Sequence, residues 1–130
     1  MLQDSSAIVI SDLRFPHGER LRHRWEFERV KKLGLTIKGQ SMVLSLALCP
    51  NRLERRIGFV VTKRYGNAVK RNLVRRRMRE IYRLNKTRLE KGIHLVVLAR
   101  NSGQKASYSQ MNEEFLSLYD IAVKRLCVKS

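Results

Sequence analysis

Residues 56–83 read RIGFVVTKRYGNAVKRNLVRRRMREIYR, an apolar run followed by a strongly basic one. The β-branched and aromatic residues of RIGFVVT predict a strand over 56–62. Asn67, which follows Gly66, is a favourable N-cap and predicts a helix from there to about residue 88. Backbone N–H groups at such a helix start can hold a phosphate, although the two residues can equally serve as a simple cap. The stretch therefore predicts a strand that leads into a cationic helix.

One side of this helix is almost purely basic when its residues are placed at 100° steps. This basic arc holds Arg71, Asn72, Arg75, Arg76, Arg79 and Arg83. The other side holds Val69, Leu73, Val74, Met78, Ile81 and Leu84, which we expect to pack on a sheet. A solvent-exposed helix face normally mixes Glu with Lys. A face that carries arginine without acidic residues is suited to bidentate binding of phosphate. The arc therefore predicts nucleic-acid binding, with a passive charged face as the alternative.

The remaining residues complete one small domain. Apolar spacing and turn residues predict a loose arm over 1–19, a helix over about 22–33, strands over 35–39, 41–49 and 93–99, and a last helix that starts at the capping box Ser107–Gln110. We therefore predict an α/β fold of the two-layer α+β type, with the order α-β-β-β-α-β-α. Residues 20–127 are expected to form a single RNA-binding domain.

Composition points to a cytoplasmic protein with an anionic partner. The 130 residues carry a net charge of +17, yet 43% are hydrophobic, which is enough for a core. Cys49 and Cys127 show no CxxC or companion histidine spacing, which argues against a disulfide scaffold and a zinc site. The apolar run at 93–99 is too short to span a bilayer, and the first thirteen residues contain no base, unlike a signal peptide.

Self-sufficient nuclease chemistry is missing from the sequence. A metal-dependent nuclease needs clustered carboxylates, and acid–base cleavage needs paired histidines. His17, His23 and His94 are scattered, and no nucleophile is expected beside a base. Glu54, Glu80 and Glu90 have basic neighbours and are interpreted as local charge partners. We therefore predict no catalytic residue and no metal site on the protein.

The stretch RIGFVVTKRYGNAVKRNLVRRRMRE resembles the signature of the protein subunit of bacterial ribonuclease P. The resemblance extends upstream through FPHGERLRHRWEFERVKKLG and downstream through LVVLAR and SYSQM. It implies a ribonucleoprotein endoribonuclease that removes the 5′ leader of precursor tRNA. In that family the RNA subunit carries the chemistry with Mg²⁺, and the protein alone is inactive. The resemblance also implies a left-handed β-α-β crossover, against the usual right-handed rule.

The same resemblance assigns two sets of binding residues. Contact with the catalytic RNA subunit falls on Asn67, Lys70, Arg71, Asn72, Arg75, Arg76 and Arg79. Contact with the precursor-tRNA leader falls on Phe27, Thr62, Lys63, Arg64 and Arg100, and we add Lys31, which departs from the family pattern, as a phosphate contact. The family often has aromatic residues where this chain has Lys31 and Ser45, so we expect weaker base stacking there. Trp25 is expected to be partly a core residue.

Two other functional classes remain to be compared with this one. The alternative is a generic RNA-binding or ribosomal protein of similar fold without a processing role. Binding to a membrane surface is disfavoured, because the basic helix lacks the aromatic-rich apolar face of an interfacial helix. An obligate protein partner is not expected, so the predicted partners are the catalytic RNA subunit and the precursor-tRNA leader.

Overall fold

The computed structural model describes residues 17–129 of the chain. Its helices and strands follow in the order α1 Arg24–Leu33, β1 Leu35–Lys38, β2 Met42–Leu48, β3 Arg55–Val60, α2 Ala68–Asn85, β4 Ile93–Ala99 and α3 Tyr108–Lys129. Short 3-10 turns lie before α1, after β3, after α2 and after β4. The predicted order α-β-β-β-α-β-α is confirmed.

The four strands form one mixed sheet with the order β1-β2-β4-β3. β2 pairs antiparallel with both β1 and β4, while β3 pairs parallel with β4. A parallel pair needs a crossover connection, and here α2 provides it. The mixed α+β single domain is thus confirmed, whereas the left-handed sense of the crossover stays a prediction.

The main core lies between the sheet and the two long helices. Alternate strand residues point to this side, as the two-residue period of a strand requires. The cluster includes Leu44, Leu46, Ile57 and Leu95 from the sheet, Met78 and Tyr82 from α2, and Met111 and Phe115 from α3. Burying each such aliphatic side chain contributes about 1.5–3 kcal/mol, so this contact supplies most of the stability.

Helix α1 covers part of the opposite face of the sheet. Its Val30 is fully buried against Ala47 and Val96, and Leu21 joins the same cluster. The sheet therefore forms one of the two predicted layers, and α2 and α3 form the other. Helix α1 adds a short third layer on the opposite face of the sheet. Because helices cover both faces of β4, the run IHLVVLA is apolar on both.

Trp25 is not a core residue, contrary to the expectation. Its side chain is 62% exposed and stacks parallel on His23, with ring centroids 6.2 Å apart. The apolar α1 residues that pack on the sheet are Phe27 and Val30, three residues apart. Trp25 lies on the outer side of the helix because only one narrow stripe of so short a helix can contact the sheet.

The predicted loose arm over 1–19 divides into two parts. Residues 1–16 lie outside the described residues. Residues His17–Glu19 form a 3-10 turn, and the Glu19 carboxylate accepts hydrogen bonds from Tyr82 and from the buried Lys86. Leu21 then donates its backbone N–H to the Ile57 carbonyl at the edge of the sheet. This end of the predicted arm is therefore packed on the domain.

The last helix begins as predicted. The Ser107 backbone N–H donates to Gln110 Oε1 and the Gln110 N–H donates to Ser107 Oγ, which is the reciprocal capping box. Glu114, one turn further along, accepts from the backbone N–H groups of Ser41 and Met42 and so anchors the β1–β2 turn to α3. Across residues 17–129 no helix combines the length and the apolar character that crossing a membrane would need.

Candidate RNA interface

Helix α2 begins at a capped turn that places its first residues at the surface. Gly66 has φ +153°, a conformation that a side chain disfavours, and it directs the chain from the 3-10 turn Lys63–Tyr65 into the helix. The Asn67 side chain accepts a hydrogen bond from the Lys70 N–H at 3.0 Å. The capping role of Asn67 is therefore confirmed, while a phosphate at this helix start stays a prediction.

Except for Arg83, the cationic side chains of the basic arc and the neighbouring Lys70 form no ion pair with a carboxylate among the described residues. Among the residues the structure describes, no ion pair involves Lys70, Arg71, Arg75, Arg76 or Arg79. Lys70, Arg76 and Arg79 are exposed, as is Asn72, whereas Arg71 and Arg75 are half-buried where the arc meets the core. Only Arg83, at the far end, pairs with Glu80. The hydrogen bond from Arg83 lowers the pKa of the Glu80 carboxyl and keeps this pair charged.

The buried side of α2 is narrower than the sequence predicted. Val74, Met78, Ile81 and Tyr82 are buried, but Val69 is 75% exposed and Leu73 and Leu84 are also exposed. The expectation that these last three pack on the sheet is wrong, because the helix contacts its neighbours along one stripe only. Val69 and Leu73, four residues apart, form an exposed apolar strip beside the basic arc.

A second surface lies on the α1 side of the sheet. Strand pairing places Lys38, Val43, Leu98 and Val60 side by side across all four strands. Val43, Val60 and Leu98 are half-buried, because α1 does not extend fully over them. We call these three residues the open sheet face. Sequence reasoning missed them, although each stands near a strand end next to the predicted leader residues.

Four of the six predicted leader residues border the open sheet face. β3 and β4 are parallel, so the residues that follow them reach the same edge of the sheet. Thr62, Lys63 and Arg64 follow β3, and Arg100 follows β4; all four are exposed. The Arg100 guanidinium donates to the Gly39 carbonyl at 2.7 Å, which fixes its position at this edge. Within the described residues no carboxylate forms an ion pair with these cations.

The two α1 residues of the predicted leader set differ in exposure. Phe27 is half-buried, and both Phe27 and Val60 of the open sheet face pack against the core cluster beneath α1. Lys31 is exposed one helical turn further along α1. Ser45, the other position where the family often has an aromatic, is buried and shares a 2.9 Å hydrogen bond with Thr36. The surface here therefore consists of Phe27 and aliphatic side chains, and Ser45 lies beneath it.

Two histidines and one cysteine lie close together on the α1 side of the sheet. This corrects the expectations that the histidines are scattered and that no nucleophile lies beside a base. His23 and His94 line one cavity, so these two are not scattered in space. The Cys49 thiol stands 3.2 Å from Glu54, which itself lies 2.7 Å from His94, so a nucleophile does stand beside a carboxylate. Burial and the hydrogen bond to Glu54 raise the pKa of the Cys49 thiol, which is the opposite of an activated nucleophile.

Fold and surfaces together define a small α+β nucleic-acid-binding protein with two cationic areas. The family model for ribonuclease P matches residues 15–123. The ribonuclease P protein component of Finegoldia magna is 36% identical over 110 residues, covering 85% of this chain and 96% of the relative. That of Syntrophobacter fumaroxidans is 39% identical over 108 residues, covering 82% and 89%. The chain belongs to the ribonuclease P protein family.

Solved structures agree with this assignment. The ribonuclease P protein from Thermotoga maritima is 30% identical and superimposes with a TM-score of 0.70 over 78% of this chain and 94% of that protein. The protein from Staphylococcus aureus is 26% identical, with a TM-score of 0.70 over 80% and 94%. The fold that positions the basic arc and the open sheet face is thus the fold of this family.

Proposed function

We propose that this chain is the protein subunit of ribonuclease P and assists removal of the 5′ leader from precursor tRNA. The observation that carries the proposal is that this member of the family has two separate cationic surfaces with few carboxylate partners. One surface lies on α2 and the other borders the open sheet face. A protein that binds a single RNA needs only one such surface, whereas a ribonuclease P protein subunit contacts both the RNA subunit and the leader.

The α2 surface is suited to a folded RNA. Lys70, Arg76 and Arg79 are exposed along the helix, so their charges can follow the phosphates of a duplex. Each arginine guanidinium group can bind two phosphate oxygens at once, which holds the RNA in one orientation. The catalytic RNA subunit is the partner that we assign to this side, through Asn67, Lys70, Arg71, Asn72, Arg75, Arg76 and Arg79.

The open sheet face is suited to a single strand. A single-stranded leader presents bases that can lie on Phe27 and on the aliphatic residues Val43, Val60 and Leu98, while its phosphates meet the cationic edge. We assign Phe27, Lys31, Thr62, Lys63, Arg64 and Arg100 to leader contact. Binding there distinguishes precursor tRNA from the mature product, since only the precursor carries the leader.

Mg²⁺, the metal of the family's reaction, does not fit this protein's own side chains. Mg²⁺ prefers six oxygen ligands, including waters. The group of potential metal ligands in the described residues, Cys49, Glu54 and His94, offers one sulfur, one nitrogen and one carboxylate. This mismatch supports the proposal that the RNA subunit holds the catalytic Mg²⁺ and that the protein contributes binding alone.

The experiment that tests the proposal is cleavage of precursor tRNA by a bacterial catalytic RNA at low Mg²⁺, with and without this protein. We expect the protein to lower the Mg²⁺ concentration needed and to leave precursor tRNA uncut when no RNA subunit is present. A generic RNA-binding or ribosomal protein of similar fold would bind RNA without this effect. Specific 5′ cleavage by RNA-free protein would contradict the division of labour proposed here.

A further inference from the structure

Three side chains of metal-ligand type meet at the end of the sheet opposite the leader edge. Cys49 follows β2, Glu54 precedes β3 and His94 is the second residue of β4. Pairing of β2 with β4 brings Ala47 beside His94, and the Cys49 N–H donates to the Gly92 carbonyl at 2.8 Å. Backbone hydrogen bonds therefore hold Cys49 and His94 in fixed positions relative to each other.

The ligand atoms of the three residues are within reach of one ion. Cys49 Sγ, a carboxylate oxygen of Glu54 and an imidazole nitrogen of His94 all lie within 4.8 Å of one another. Cys49 and His94 are both buried, each only 9% exposed. A cavity of about 540 Å³, lined also by His23 and Glu26, opens to these atoms and provides an entry path.

We propose that Cys49, Glu54 and His94 form a binding site for Zn²⁺. Thiolate, imidazole and carboxylate are the three ligand types that zinc takes in proteins, whereas Mg²⁺ and Ca²⁺ select oxygen alone. Three protein ligands leave one of the four tetrahedral positions for a water from the cavity. No residue spacing indicates this site, because His94 lies 45 residues after Cys49 and only the sheet brings the two together.

The local charges suit a bound dication. A thiolate and a carboxylate together neutralise Zn²⁺, so the occupied site carries no net charge of its own. The nearby Arg56 contacts both Glu54, at 3.1 Å, and Glu26, at 3.5 Å, and can keep Glu26 as its partner. The ion would thus link the end of β2, the β2–β3 loop and β4 without leaving an unpaired charge.

The site is separate from the proposed leader surface. His94 and Leu98 are four residues apart on β4, a separation of about 13 Å along a strand. A zinc ion at this end therefore stabilises the sheet and does not touch the open sheet face. The proposal is independent of the function assigned to that surface.

The test is metal binding by the full chain, free of any affinity tag. Zn²⁺ affinity is measured by competition with a chromophoric chelator, with Mg²⁺ as the comparison ion. Co²⁺ then serves as a spectroscopic stand-in, because a cobalt–thiolate bond produces a charge-transfer band in the near ultraviolet. The variants are Cys49→Ser and His94→Asn, and the matched control is Cys127→Ser, which removes the chain's other thiol.

We expect one equivalent of Zn²⁺, a cobalt–thiolate band, and a thermal midpoint that rises with Zn²⁺ but not with Mg²⁺. Cys49→Ser should abolish the band and weaken Zn²⁺ binding by more than the roughly 10–100-fold lost when an outer partner of a metal ligand is removed. His94→Asn should weaken binding too, and Cys127→Ser should match the wild type. Circular dichroism identifies variants that fail to fold. Equal Zn²⁺ affinity in wild type and folded Cys49→Ser, or a cobalt spectrum without a thiolate band, would overturn the proposal.

Discussion

The Phe27 ring lies directly on Gly58, so closely that a Cβ atom on residue 58 would overlap the Cε2 and Cζ atoms of the ring. Gly58 pairs with Val96 in the part of the sheet that α1 covers. One side of Phe27 is thus used in packing α1 onto the sheet, and the side chain stays partly exposed. Val60 of the open sheet face packs against the same cluster. Packing and leader contact are therefore compatible roles for this residue.

Gly58→Ala should displace Phe27 and destabilise the domain by about 1–3 kcal/mol, the usual range for an overpacked site. Urea unfolding followed by circular dichroism measures the change. Gly18→Ala is the matched control, since a Cβ at residue 18 meets no atom within 4 Å. If both variants unfold at the wild-type urea concentration, the Phe27–Gly58 contact does not hold α1 in place.

Phe27→Ala should weaken holoenzyme binding to leader-bearing precursor tRNA by about five- to 150-fold, because stacking one base on an aromatic contributes about 1–3 kcal/mol. Mature tRNA lacks the leader and should bind with nearly unchanged affinity. The measurement is the ratio of the two affinities at fixed salt.

Phe27→Leu is the control for packing in the same experiment. Leucine retains much of the apolar volume on Gly58 but has no aromatic face. We expect it to restore stability and to recover little of the leader affinity. If Phe27→Ala weakens both tRNA forms equally, or only lowers the melting temperature, Phe27 is a packing residue and the leader binds elsewhere.

The order of elements could be predicted from the sequence because each element is marked locally. The Ser107–Gln110 capping box, the Asn67 cap and the apolar run of β4 act within a few residues of one another. The sheet order β1-β2-β4-β3 could not be predicted in this way. It depends on contacts between residues far apart in the chain, which periodicity does not report.

The candidate surfaces were predicted less completely than the fold. None of the basic-arc residues is fully buried, but the helical wheel assigned Val69, Leu73 and Leu84 to the core, and all three are exposed. A wheel gives the direction of a side chain, whereas the width of the buried stripe depends on which elements pack against the helix. The open sheet face and the Cys49–Glu54–His94 cluster were missed because strand pairing alone creates them.

Arg76→Ala/Arg79→Ala should reduce the salt dependence of binding to the catalytic RNA. Each lost phosphate contact changes the slope of log affinity against log salt by about 0.7–0.9, so two contacts change it by about 1.4–1.8. Both side chains are exposed, so the fold should be unaffected. Arg75 is half-buried and is less suitable as a purely electrostatic probe.

The matched control for this pair is Lys124→Ala/Arg125→Ala, which removes the same charge from exposed positions on α3. Its slope should stay close to that of the wild type. A slope that changes equally in both double variants would indicate a general effect of net charge, and an unchanged slope in Arg76→Ala/Arg79→Ala would exclude the basic arc as the RNA surface.

Glu19→Ala should destabilise the domain by about 1–3 kcal/mol, the usual cost of removing one hydrogen-bonding partner from a buried polar group. The Lys86 side chain is 2% exposed, and its ammonium group lies 3.1 Å from Glu19. Lys86→Met should cost less, because Glu19 is partly exposed to water and keeps its hydrogen bond from Tyr82. Equal losses in the two variants, measured by urea unfolding, would contradict this asymmetry.

The pH dependence of stability should depend on Glu26. Burial raises the pKa of this carboxyl, but hydrogen bonds from the His23 and Arg22 N–H groups and the charge of Arg56 outweigh burial, leaving the pKa below its ordinary value of 4.5. The unfolded chain then binds the proton more readily than the folded one, so acid favours unfolding. The stabilisation from Glu26 is fully present above pH 4.5 and is lost as the pH falls through the lowered value.

Glu26→Gln keeps an acceptor for the two N–H groups but removes the charge. We expect it to lower the free energy of unfolding by about 1 kcal/mol near pH 7, the usual difference between a charged and a neutral hydrogen bond. The gap to the wild type should narrow as the wild-type carboxyl is protonated in acid. Glu28→Gln, whose ion pair with Arg24 is exposed, should stay near the wild type throughout. The measurement is urea unfolding at a series of pH values. If the difference in unfolding free energy between Glu26→Gln and the wild type stays constant into acid, Glu26 is not the group that makes stability depend on pH.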